Sequence, residues 1–203
     1  MMSETTMNPR YLTIGALIYA LVSAFWIVIA IFWGGVSSMV MIGTAVIFIL
    51  LLIAAAISTL RRANQSNMPQ EASAALGKWF GIIFAAEGIG IGVGSGILVG
   101  LGLAQWIAPW VALVVGLHFF PLAHLLKLPF DYVLGTAIVL LVLITVVFMP
   151  LENWAGILGM GTAVFLWLAG WGRLWLARQA LLSNPPKNTS SIHHSDDASA
   201  GGE

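Results

Sequence analysis

The sequence predicts an all-α integral membrane protein, a bundle of six transmembrane helices with both chain ends in the cytoplasm. Of its 203 residues, 60% are apolar and only 8% are charged. Soluble domains carry about a quarter charged residues, because water must wet their surface. Six apolar stretches also meet or approach the roughly 20 residues that a helix needs to cross a bilayer. Most of the surface is therefore predicted to face lipid.

The predicted spans are separated by short, nearly uncharged turns, except for a longer polar loop between the second and the third. The membrane domain is predicted over 11–182, between a cytoplasmic N-terminal segment, 1–10, and a disordered cytoplasmic tail, 183–203. The six spans are predicted at about 11–33, 36–60, 79–103, 106–125, 132–149 and 154–176.

The basic residues predict the orientation. Lys and Arg near short loops are retained on the cytoplasmic side of a membrane. A cytoplasmic N-terminus places all eight basic residues on that side, whereas the opposite orientation places all eight on the other. They are Arg10, Arg61, Arg62, Lys78, Lys127, Arg173, Arg178 and Lys187.

The third span carries a strip of glycines. Gly88, Gly92, Gly96 and Gly100 are four residues apart and share one helix face. Such a face lets a neighbouring backbone approach closely, so that dispersion replaces the hydrophobic effect that lipid cannot supply. We predict that the strip packs against a helix, either within the bundle or at the seam of a homo-oligomer. The alternative is a flexible hinge or pore-lining helix.

Glu87, in the same span, is a candidate functional residue. It lies eight residues beyond Trp79, about 12 Å along the helix and well inside the hydrocarbon. A charge at that depth is costly, so Glu87 is predicted to face the bundle interior, to pair, or to stay protonated.

His118, in the fourth span, is the predicted partner of Glu87. The third and fourth spans are antiparallel neighbours, which places the two side chains at similar depth within about one turn. Pro121 adds to this candidate polar site, because it cannot donate a hydrogen bond to the carbonyl of Leu117 and so leaves an acceptor near His118. Two hypotheses stay open for the pair, a proton or ion relay and a structural polar clamp.

The other charged groups near the ends of spans have simpler interpretations. Asp131, with His124 and Lys127, is predicted to be surface charge or to contact lipid headgroups at the connection of spans four and five. Arg173 is predicted to extend toward headgroups at the inner end of span six.

Several function classes find no support in the sequence. The chain has no Cys, which excludes disulfides and thiolate chemistry. It has no hydrolase triad, zinc-protease motif or nucleotide-binding loop, so no catalytic, cofactor or metal site is predicted and the protein is not expected to be an enzyme. His193, His194, Asp196 and Asp197 are interpreted as part of a flexible tail. A net charge of zero gives no reason to expect nucleic acid as a partner.

The segment Val115-Gly116-Leu117-His118-Phe119-Phe120-Pro121-Leu122-Ala123, followed by Tyr132-Val133-Leu134-Gly135, resembles a pattern in small uncharacterised bacterial multi-pass membrane proteins with a "GLHFxPLA" span. The resemblance covers about a quarter of the chain, and it implies a bacterial inner-membrane protein without implying a reaction.

Two functional hypotheses follow from the sequence. The first is a non-enzymatic structural or accessory component that has the lipid bilayer, and a second copy of itself, as partners. The alternative is a small proton-linked transporter or channel that uses the Glu87–His118 pair.

Overall fold

The structure is a computed structural model that describes residues 9–35, 39–64 and 73–183. Within them the chain is helical, without a β-strand, and it has six helices long and apolar enough to span a membrane. Short 3₁₀ turns, Ala104–Trp106 and Leu151–Asn153, lead directly into the fourth and sixth helices. The helices are α1 (Pro9–Phe32), α2 (Met39–Asn64), α3 (Ser73–Gly100), α4 (Ile107–Leu126), α5 (Pro129–Phe148) and α6 (Trp154–Ser183).

The helices extend beyond several predicted spans at their polar ends. The predictions counted apolar residues, whereas a helix continues through polar ones until its backbone is capped or broken. Thus α2 reaches Asn64 and α6 reaches Ser183. Lys127 ends α4 in a left-handed conformation, with φ of 54°. Proline at the first turn then starts α5 at Pro129, where its missing N–H has no intrahelical partner to lose.

The predicted terminal segments fall largely outside the part of the chain that the structure describes. This applies to 1–8 of the N-terminal segment and to 184–203 of the tail.

The core of the bundle is the pair of α1 and α6, which make the most extensive helix contact. Small residues allow this close approach. A Cβ on Gly159 would lie 2.8 Å from the Cβ of Ala30, and a Cβ on Gly34 would overlap the backbone of Gly156. The Ser23 hydroxyl donates a hydrogen bond of 2.9 Å to the Ala163 carbonyl and ties the two helices at mid-length. Small residues at a contact let two helix backbones approach closely.

The other helices surround this pair unequally. Helix α2 packs on α1 and α6, α5 packs on α4 and α6, and α3 packs on α4 and the 3₁₀ turn that precedes it. No residue in the most apolar window of α3 is buried. This arrangement puts α3 at the edge of the bundle, with one side toward α4 and α1.

Candidate functional site

The structure brings Glu87 and His118 together. Oε1 of Glu87 lies 3.4 Å from Nδ1 of His118, and the two side chains are only 12% and 9% exposed. Nδ1 has no hydrogen-bond partner among the described residues. The pair is thus an electrostatic contact, which a small rotation of either side chain would turn into a hydrogen bond.

Aromatic rings hold the imidazole in place. The ring centroid of His118 lies 5.7 Å from that of Phe84 and 4.2 Å from that of Phe119. These rings exclude water from much of the imidazole surface. Because an apolar surrounding lowers the local dielectric constant, the electrostatic interaction between Glu87 and His118 is stronger here than it would be in water.

Pro121 lies one turn beyond His118, and its side chain is exposed. Helix α4 continues through it from Ile107 to Leu126. Its pyrrolidine nitrogen has no proton to donate, which is the property on which its predicted role depends.

A second polar cluster lies deep in the bundle, formed by Tyr19 of α1, Asp131 of α5 and Arg173 of α6. All three side chains are buried, with Asp131 0%, Arg173 3% and Tyr19 4% exposed. Nη2 of Arg173 forms an ion pair with Oδ2 of Asp131, and the Tyr19 hydroxyl donates a hydrogen bond of 3.0 Å to Oδ1. The Arg173 guanidinium carbon also lies 4.4 Å from the centroid of the Tyr19 ring, which is a cation–π contact.

The surface interpretation of Asp131 and Arg173 is therefore wrong. Arg173 lies four residues from both Ala169 and Ala177, and this helix face is buried. That spacing was the available sequence signal, since small residues on one face indicate close packing. Asp131 lies in the first turn of α5 and faces inward. Tyr19 was not identified from the sequence, because an aromatic residue in an apolar span is unremarkable by itself.

Gly15 of α1 makes room for the guanidinium. A Cβ at this position would lie 3.1 Å from Cζ and 3.3 Å from Cδ of Arg173, and it would overlap Nη1. The absence of a side chain at Gly15 therefore permits the buried position of Arg173.

The two polar clusters line one small cavity, which we call the central cavity. Glu87, His118, Tyr19 and Arg173 all border it, and its volume is about 30 Å³. That volume is enough for about one or two water molecules, and the four polar side chains supply the partners that buried water needs.

A wider groove of about 510 Å³ lies between α1 and α3, and we call it the α1–α3 groove. It shares Gly15, Ile18, Phe80, Phe84 and Arg173 with the wall of the central cavity. Arg173 is therefore part of the wall of both the α1–α3 groove and the central cavity.

The glycine strip faces away from the bundle. Gly88, Gly92, Gly96 and Gly100 are exposed, and a Cβ added to any of them would meet nothing within 4 Å. The contact between α3 and α4 uses another face, where the Trp110 indole N–H donates a hydrogen bond of 3.0 Å to the Gly90 carbonyl. Within the described chain the strip packs against no other helix, which leaves its role at a seam between copies as a prediction.

The fold and site define an all-helical protein with six helices long enough to span a membrane and two buried polar clusters around a common cavity. No family model, curated protein or solved structure matches the chain. The resemblance of the His118 segment to small bacterial membrane proteins stays a prediction. Among the described residues, no group of three or more His, Asp or Glu side chains is arranged to hold a metal ion.

Proposed function

We propose that this chain is a small proton-linked transporter of the bacterial inner membrane, with six spans and both ends in the cytoplasm. The orientation rests on the basic residues, and the choice of membrane rests on the resemblance of the His118 segment. The proposal of transport rests on one observation: the Glu87–His118 pair borders the same cavity as Tyr19 and Arg173 of the second cluster.

In this topology the two clusters adjoin each other within the membrane. Glu87 is about 15 Å along α3 from Gly77 and Tyr19 is about 15 Å along α1 from Pro9, whereas Asp131 is about 3 Å from the cytoplasmic start of α5. Intramembrane ionisable groups are costly, and chains of them form proton relays in pumps and transporters. A water molecule in the cavity would join the Glu87–His118 pair to Tyr19 and Arg173.

The pair supplies a proton site with two neighbouring acceptors. Moving a proton between Oε1 of Glu87 and Nδ1 of His118 changes the charge of each group but leaves their sum unchanged. Taking up one further proton adds one positive charge to the site. A site that changes charge in this way can couple proton movement to the movement of an anion.

The test is proton flux into vesicles that contain the purified chain. With a pH gradient and an internal pH-sensitive dye, we expect flux in the wild type and its loss in Glu87→Gln and in His118→Ala, at unchanged expression. Glu152→Gln is the matched control, because Glu152 is an exposed carboxyl in the 3₁₀ turn before α6. Transport is refuted if the wild type passes no protons, or if Glu87→Gln passes them at the wild-type rate.

The second candidate is a non-enzymatic structural or accessory component. It is favoured by the fact that each polar cluster joins different helices: Glu87 and His118 join α3 to α4, and the other cluster joins α1, α5 and α6. In that case the same substitutions would lower thermal stability, with no flux in any variant. A homo-oligomer through the exposed glycine strip of α3 belongs with this proposal, as close packing of glycine faces joins helices in lipid.

A further inference from the structure

The α1–α3 groove has the size and the lining of a small-molecule site. Its volume of about 510 Å³ lies within the roughly 300–1,000 Å³ of such sites, which are mostly apolar with a few polar groups that orient the ligand. Apolar side chains, among them Ile14, Ile18, Phe80 and Phe84, supply its walls.

Arg173 is the charged group in the wall of this groove. It is 3% exposed, and Asp131 and Tyr19 contact one side of its guanidinium. On another side the guanidinium packs against the backbone of Gly15, which also lines the groove. Nε of Arg173 has no hydrogen-bond partner in the described part of the chain. The guanidinium therefore retains donor capacity that its present partners do not use.

We propose that the α1–α3 groove binds an organic anion, a monocarboxylate with an apolar chain. Its carboxylate contacts the Arg173 guanidinium, because a planar fork of donors matches a carboxylate. Its chain lies along Phe80, Phe84 and Ile18. One carboxylate fits better than two, since a second negative charge in this apolar groove would have no cationic partner.

This inference rests on the proposed function and names the substrate class of the same site. Arg173 and Asp131 already balance each other, so a bound carboxylate adds one uncompensated negative charge. One proton taken up by the Glu87–His118 pair restores neutrality across the central cavity. The groups that face Glu87 are His118 from α4, Tyr19 from α1 and Arg173 from α6, the last paired with Asp131 from α5. Binding of the anion therefore favours proton uptake by the pair, and proton uptake favours binding of the anion.

The test is binding of octanoate to the full chain in nanodiscs, with empty nanodiscs as the background. We expect saturable binding of octanoate. Octanamide, which lacks the charge that a guanidinium recognises, should bind roughly ten times or more weakly than octanoate. We also expect binding to tighten as the pH is lowered in the wild type and to lose this dependence in Glu87→Gln.

The variant Gly81→Leu should block the groove without contacting the polar clusters. A Cβ at Gly81 meets nothing within 4 Å, and Gly81 lines the groove. Gly43→Leu is the matched control, because Gly43 of α2 is equally open but does not line the groove. We expect Gly81→Leu to weaken octanoate binding roughly tenfold or more and Gly43→Leu to leave it unchanged.

Three results would overturn the assignment. They are the absence of saturable octanoate binding, equal binding by Gly81→Leu and the wild type, or a phospholipid that copurifies with the wild type and is lost from Gly81→Leu. The last result would make the groove a lipid site. Proton flux that depends on Glu87 under a pH gradient alone would still stand in each case, which separates failure of this inference from failure of proton transport.

Discussion

Removing the carboxylate of Asp131 is expected to cost more stability than any surface substitution in this protein. Asp131 is fully buried, and its two carboxylate oxygens accept hydrogen bonds, one from Arg173 and one from the Tyr19 hydroxyl. In Asp131→Ala the guanidinium keeps its charge and loses its counterion. Breaking a buried ion pair from one side typically costs about 3–5 kcal/mol, most of it from the uncompensated charge that stays behind.

The double variant Asp131→Ala/Arg173→Met removes that uncompensated charge and so measures its contribution to the loss. An apolar replacement of both partners often restores stability, because neither charge then has to be desolvated. We expect the double variant to recover about half or more of the loss seen in Asp131→Ala. Arg173→Met alone should also be destabilising, since it leaves the carboxylate of Asp131 without its cation.

The assay is unfolding of the purified chain in mixed micelles as the denaturing detergent is increased, followed by tryptophan fluorescence. Glu152→Ala serves as the control, because this carboxylate is exposed, and its loss should change stability by less than about 0.5 kcal/mol. The reasoning is refuted if Asp131→Ala loses less than about 1 kcal/mol, or if the two single losses simply add in the double variant.

Two further predictions concern glycines and their neighbours. Gly15→Ala should lower stability by about 1–3 kcal/mol, because the added Cβ overlaps the Arg173 guanidinium, which Asp131 and Tyr19 hold in place. In the control Gly43→Ala the added Cβ meets nothing within 4 Å, and this variant should be neutral or gain about 0.5–1 kcal/mol of stability. Equal thermal midpoints for these two variants would show that the guanidinium simply moves aside. Trp110→Phe should cost about 1 kcal/mol through the lost hydrogen bond to the Gly90 carbonyl, and an unchanged unfolding curve would contradict that contact.

The sequence could predict that Glu87 and His118 lie at similar depth, but not that their side chains face each other. A tight connection between antiparallel helices forces residues equally far from it to the same level. Rotation of each helix about its axis decides whether two such groups face each other, and that rotation depends on packing with the remaining helices. Here the face of α3 that carries Gly90 meets Trp110, and this contact turns Glu87 toward α4 and α1.

The glycine strip also separates what the residue spacing predicts from what the packing of the helices decides. Spacing by four predicts that Gly88, Gly92, Gly96 and Gly100 share a face, and in α3 all four are exposed. Periodicity cannot say which partner a face meets. The contact with α4 is made instead on the face of Gly90 and Gly94, where a Cβ at Gly94 would overlap the Trp110 indole.

The sequence by itself determined the number of long apolar helices, their order and the presence of an ionisable residue within the third and fourth. These are local properties of composition and length, and neighbouring helices do not change them. Only the tertiary structure decided that Asp131 and Arg173, 42 residues apart, form a buried pair with Tyr19. Their meeting depends on how α1, α5 and α6 are turned and shifted against one another, and on the space that Gly15 leaves for the guanidinium. Burial of a charge is a property of that assembly, because the cost of desolvation is offset only where the partner arrives from another helix.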